Sequence, residues 1–125
     1  MQNILVVDDN EDMLDAMEIL ITHFGFNVTV ATSYESIIKT FDEYIPDAIV
    51  LDVILGNEDG REICKRIKSD VKTSNILIIL ISGQPEVLID HFNFGADGIL
   101  HKPFDIQKFK SLLRDFDQII KDRMN

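Results

Sequence analysis

The sequence predicts an α/β fold: a parallel sheet wound with helices on both faces. Strand-like apolar runs alternate with amphipathic helix-like stretches from one end of the chain to the other. In "AIVLDV" at 48–53, Ala48 to Leu51 is apolar without alternation, as expected of a strand covered on both faces, and "NILIILIS" at 75–82 is the most apolar strand in the chain. Parallel neighbours need crossovers, and those crossovers are right-handed, which leaves an open, doubly wound sheet.

The elements follow in order. "NILVV" at 3–7 is the first strand, and Met13, Met17, Leu20 and Phe24 then fall on one helical face that ends at Gly25. "NVTVA" is the second strand. Thr32 and Glu35 have capping-box spacing ahead of a helix reaching about Tyr44, with Pro46 as a stop signal. The third strand ends in "LD", "LGNEDG" is a loop, and "REICKRIKS" is a helix. After the fourth strand come a short helix near 86–94, a strand at "GILH" and a final helix from Asp105 to about Lys121. No repeat or low-complexity linker interrupts the pattern, so one domain over 1–125 is expected.

Bulk properties exclude several classes. Residue content of 46% hydrophobic and 27% charged is that of a globular protein, and no apolar run approaches a membrane span. The opening decapeptide has no basic start and turns acidic, so no signal peptide is expected and the cytoplasm is the expected location. Twelve basic against twenty-two acidic residues give a net charge of −10, which repels nucleic-acid phosphates and suits a hard divalent cation. The single cysteine, Cys64, lies in a helical pattern where a buried role is usual.

In open α/β folds a ligand site forms beyond the carboxyl ends of the strands, where strand order reverses. Here the first strand ends in Asp8 and Asp9, the third in Asp52, the fourth in Ser82 and the fifth in Lys102. Each alone reads as a cap or a solvated charge. Together they place three carboxylates, a hydroxyl and an ammonium on one rim. Carboxylates at close range tolerate one another with a cation between them, and an all-oxygen site with water access suits magnesium. A carboxylate can also attack a phosphoryl group, while an ammonium and a metal neutralise its oxygens. His23, His91 and His101 are scattered and form no metal set, and Phe24, Phe26, Phe41, Phe92, Phe94 and Phe116 are read as packing residues.

The stretches "ILVVDDN", "IVLDVILGNEDG", "IILISGQ" and "GADGILHKPF" resemble the receiver domain of two-component response regulators over essentially the whole chain. That resemblance implies a flavodoxin-like (βα)5 sandwich with strand order 2-1-3-4-5. It implies that Asp52 accepts a phosphoryl group from a phosphohistidine on a sensor histidine kinase or histidine phosphotransfer protein. Asp9, Asp52 and the main-chain carbonyl of Ile54 would bind Mg2+, with Asp8 acting through water. Lys102, joined to Pro103 by a cis bond, would pair with the phosphoryl group, and Ser82 would turn inward to it. The face built from the fourth helix, fifth strand and fifth helix would then repack for a downstream effector protein or domain, or for a phosphorylation-dependent dimer. Slow autophosphotransfer and autodephosphorylation would be its only catalysis, with no direct nucleic-acid or membrane binding.

Three departures from the family pattern stand out. Ile99 occupies the usual aromatic switch position, Gly56 stands where proline is common, and the segment from Ser82 to Lys102 is slightly short. By the same resemblance, Ile54 and Gln84 would flank the phosphoryl group at positions variable in the family. A mononucleotide carrier would need a hydroxyl- and glycine-rich loop where "DDNEDM" stands, and a dehalogenase-type phosphatase would need its second Asp two positions after the first. A degenerate receiver acting as a phosphorylation-independent binding module is the alternative that Ile99 keeps open.

Overall fold

A computed structural model describes residues 1–84, 86 and 91–125 of the chain. Strands β1 (Asn3–Val7), β2 (Asn27–Ala31), β3 (Ala48–Asp52), β4 (Leu77–Ser82) and β5 (Gly98–His101) form one parallel sheet in the order β2-β1-β3-β4-β5. Helices α1 (Glu11–His23), α2 (Tyr34–Glu43) and α3 (Gly60–Ser69) and a C-terminal helix (Ile106–Arg123) cover it. The expected doubly wound architecture and strand order are both observed. Of the short helix expected at 86–94, a 3-10 helix spans His91–Phe94, while residues 85 and 87–90 lie outside the described residues.

Alternation along the strands splits the core in two. Leu5, Val7, Ile49, Leu51, Ile78 and Leu80 point to one side, where Ile37 of α2 and Ile63, Cys64 and Ile67 of α3 close over them. Ile4, Val6, Val50, Leu77, Ile79 and Ile81 point to the other, against α1 and against Phe109, Leu113 and Phe116 of the C-terminal helix. Both faces being buried explains why β3 and β4 read as unbroken apolar runs. The buried stripe of α1 is Leu14, Met17 and Ile21, while Met13, Leu20 and Phe24 flank it half-buried. The expected face was therefore displaced by one residue toward the edge of a wider apolar band.

Two local expectations are corrected. The cap of α2 is Ser33, not Thr32: its Oγ accepts from Ser36 N–H at 3.2 Å, and Ser36 Oγ accepts from Ser33 N–H at 3.0 Å. Both pairs have the right spacing, but Glu35 stays exposed and faces Lys39 at 3.6 Å along the helix instead. The loop after β3 also contains an antiparallel hairpin, Ile54–Leu55 paired with Glu58–Asp59, which turns at Gly56 with φ +58°. Glycine adopts that backbone at no steric cost and proline, with φ locked at about −65°, is shut out of it, so the turn explains the residue that replaces proline. Asn10 caps α1, accepting from Met13 N–H at 3.1 Å, and Asp105, expected as the start of the final helix, is its cap and accepts from Gln107 N–H at 2.7 Å.

Candidate functional site

Register brings the strand ends together. Val7 pairs with Leu51, Asp52 with Ile81 and Ser82 with His101, so the residues that follow β1 and end β3, β4 and β5 share one rim. Asp8 is 3% exposed and Asp52 is 6% exposed, and both carboxylates face the ammonium of Lys102. Lys102 Nζ donates to Asp52 Oδ2 at 2.7 Å and to Asp8 Oδ2 at 3.2 Å. The remaining oxygens accept main-chain N–H groups: Asp8 Oδ1 from Asn10 at 2.9 Å and Asp52 Oδ1 from Ile54 at 2.9 Å. Such a buried ion pair holds only when its other lone pairs are also satisfied, as here.

Asp9 is exposed on the same rim, and its Oδ2 accepts from the N–H of Gly56 at 3.0 Å. This bond joins the loop after β1 to the hairpin after β3, which proline at position 56 would forbid because it lacks an N–H. Ser82 is buried, its Oγ accepting from Gln84 N–H at 3.0 Å and its carbonyl from Lys102 N–H at 2.8 Å. The Lys102–Pro103 bond is cis, as the resemblance implied.

Burial raises the carboxyl pKa of Asp8 above its ordinary value, and the charge of Asp52 adds to this, against the opposing pull of the Asn10 N–H and Lys102. Burial alone would lower Lys102, but the hydrogen bonds and negative charges of Asp52 and Asp8 outweigh it and the ammonium is held more firmly. Oxygen atoms of Asp8, Asp9 and Asp52, one from each, lie within 4.8 Å of one another. Three carboxylates set against one ammonium leave uncompensated negative charge on hard oxygen donors, which fits a divalent cation such as Mg2+.

Every side chain expected at the site therefore reaches this rim, while Ile54, expected to contribute a carbonyl, is fixed through its N–H to Asp52. His23 and His101 sit on separate elements, and the side chain of His91 lies outside the described ones. Cys64 is a core residue whose thiol burial pushes up to about 12.

One residue escaped the sequence reading. A Cβ on Gly60 would stand 2.1 Å from the main-chain oxygen of Asp52, and Gly60 N–H donates to Val53 O at 2.7 Å. Glycine is needed there so that the start of α3 can press against the backbone that carries Asp52. In the sequence it reads only as the glycine that ends a loop.

The chain matches the response regulator receiver domain family over residues 4–114. It is 32% identical, over 95% of its length, to the DNA-binding dual master transcriptional regulator RpaA of Synechocystis sp.. To the response regulator ArlR of Staphylococcus aureus it is 31% identical over 91%. The chain spans about half the length of these relatives, 52% of each. Among solved structures, a putative response regulator from Chloroflexus aurantiacus superposes with a TM-score of 0.86 at 28% identity, covering 92% of this chain and 96% of that one. On fold, rim and match together, the chain belongs to the response regulator receiver domain family.

Proposed function

We propose that this receiver takes a phosphoryl group from the phosphohistidine of a sensor histidine kinase or a histidine phosphotransfer protein onto Asp52. The observation that carries the reading is Lys102 Nζ, 2.7 Å from Asp52 and 3.2 Å from Asp8. An oxygen of Asp52 attacks phosphorus, the P–N bond breaks, and the imidazole nitrogen leaves with the bonding pair, giving an acyl phosphate. Lys102, freed from part of its pairing with Asp52, neutralises the oxygens of the transferred group. Ser82 donates its hydroxyl proton to one of them. Asp8, Asp9, Asp52 and the main-chain carbonyl of Ile54 would hold Mg2+, which supplies further charge neutralisation when bound.

The donor has a landing place beside the site. An open groove of about 700 Å³ between α1 and the segment after β5 is lined by Met13, Ile19, Leu20, Phe104 and Ile106 and reaches Lys102. Ile19 is 72% exposed and Ile106 51% exposed, so the groove offers apolar surface to a helix of the donor. Output would pass through the surface of the 3-10 helix, β5 and the C-terminal helix to an effector protein or domain.

Incubation with acetyl phosphate and Mg2+ tests the reading. One phosphoryl group per chain, labile to hydroxylamine as an acyl phosphate is, is expected on the wild type and is expected to be absent from Asp52→Asn. Equal labelling of the variant, or a label resistant to hydroxylamine, would overturn the assignment.

A further inference from the structure

His101 carries a feature that the phosphoacceptor chemistry does not use: its Nδ1 is buried and has no hydrogen-bond partner among the described residues. Leaving such an atom unpaired has a desolvation cost that a folded chain ordinarily avoids. The register shows which residue stands beside it in the sheet. His101 pairs with Ser82 across β4 and β5, and Lys102 N–H donates to the carbonyl of Ser82 at 2.8 Å. Paired residues of neighbouring parallel strands project to the same face, about 5 Å apart. The rest of β5 is Gly98, Ile99 and Leu100, so His101 is the strand's one polar side chain.

Ser82 has a matching capacity. In this structure its Oγ accepts from Gln84 N–H at 3.0 Å, which leaves a second lone pair and the hydroxyl proton. When that proton turns to a phosphoryl oxygen, the serine oxygen can accept a further bond, and the resulting chain of donors strengthens each member.

We propose that His101 is a positioning residue for Ser82: in the phosphorylated receiver its Nδ1–H donates to Ser82 Oγ and holds the hydroxyl toward the phosphoryl group. The proposal rests on the phosphoacceptor reading of Asp52. It gives the Ile99 strand a polar coupling element two residues further along the same face. The orphaned Nδ1 of the unphosphorylated state becomes the donor that favours the switched one, since a group without a partner in one state and with one in the other biases the equilibrium by that difference.

Beryllofluoride with Mg2+ serves as the probe, read by fluorine resonances of the bound group, the Ser82 amide, and long-range proton–nitrogen correlations of the His101 ring. On loading, the wild type is expected to show Nδ1 protonated and hydrogen-bonded. His101→Leu is expected still to load, with affinity lowered about fivefold, the size of one neutral hydrogen bond, and with the Ser82 amide shifted back toward its unloaded position. His101→Asn, whose side-chain NH2 reaches the place of Nδ1, is expected to restore both. An unchanged Nδ1 on loading, or a His101→Leu protein matching the wild type in affinity and Ser82 shift, overturns the proposal. Should His101→Leu fail to fold, the wild-type Nδ1 resonance decides alone. A wild type with no bound fluorine signal, or an Asp52→Asn that loads equally, instead overturns the phosphoacceptor reading and this proposal with it.

Discussion

Replacing Asp8 by Asn is expected to stabilise the metal-free protein at neutral pH while weakening its function. Asp8 is 3% exposed and lies beside a second buried carboxylate, Asp52. Its attraction to Lys102 at 3.2 Å is shared, because Lys102 holds Asp52 more closely at 2.7 Å. At an effective dielectric of about 20, one unit charge between 3.2 Å, the Lys102 distance, and 4.8 Å, the bound on the carboxylate oxygens, contributes about 3.5–5 kcal/mol of either sign, so attraction and repulsion largely cancel. The burial of the charge then outweighs the hydrogen bond from the Asn10 N–H. Asparagine keeps the shape and an oxygen for the Asn10 N–H but removes that burial cost. The gain is about 1 kcal/mol, a rise of about 4 °C in Tm for a chain of this size.

The folded carboxyl of Asp8 has a pKa raised above 3.8. Its contribution to stability is therefore fully present below the unfolded value and lost as pH rises through the folded one. The advantage of Asp8→Asn should accordingly be small near pH 3.5 and grow toward pH 7. Mg2+ should reverse the order: at 100 times its Kd, the ion stabilises the wild type by about 2.7 kcal/mol, and the variant, missing a carboxylate, by less. Urea and thermal denaturation in chelator and in Mg2+, at both pH values, measure all of this. A variant no more stable than the wild type at pH 7 in chelator, or an advantage that does not depend on pH, refutes the reasoning.

Gly60→Ala should cost about 3 kcal/mol in urea denaturation, because the new Cβ meets main-chain atoms of Asp52 and Val53 at 2.1–2.9 Å, and backbone cannot rotate aside. It should also slow phosphorylation of Asp52, and wild-type values in both assays would show that α3 does not press on that backbone. Ser33→Ala should cost about 1 kcal/mol and Thr32→Ala under about 0.5 kcal/mol, since only the first removes the hydroxyl that accepts from the start of α2. The reverse ranking by chemical denaturation would restore the cap to Thr32.

Much of this protein is legible in its residues, and for a definable reason. Apolar runs too long and unbroken for one-sided burial mark β3 and β4 as inner strands, and such strands in a wound sheet fix which chain segments end at the same rim. Asp8, Asp9, Asp52, Ser82 and Lys102 were recoverable because each directly follows or ends such a run. What depends on contact was not. Ser33 and Thr32 have equal spacing claims to the cap, and the tertiary position of Glu35 on the wet face of α2 separates them. Gly60 reads as an ordinary loop glycine, and Gly56 only as a departure from the family's proline, until the backbone of Asp52 and the carboxylate of Asp9 are seen against them.

The sequence by itself determined the fold class, the rim and the chemical types upon it, because periodicity and strand termini are local properties carried by the chain. Only the tertiary structure decided how the charges are shared. It joins Lys102 to Asp52 and Asp8, and Asp9 to Gly56, and among the described residues it leaves the Nδ1 of His101, the residue paired with Ser82 in the sheet, without a partner. The hydrogen bonds of this rim are settled within tenths of an ångström between residues up to 94 positions apart, a precision that spacing along a chain does not encode.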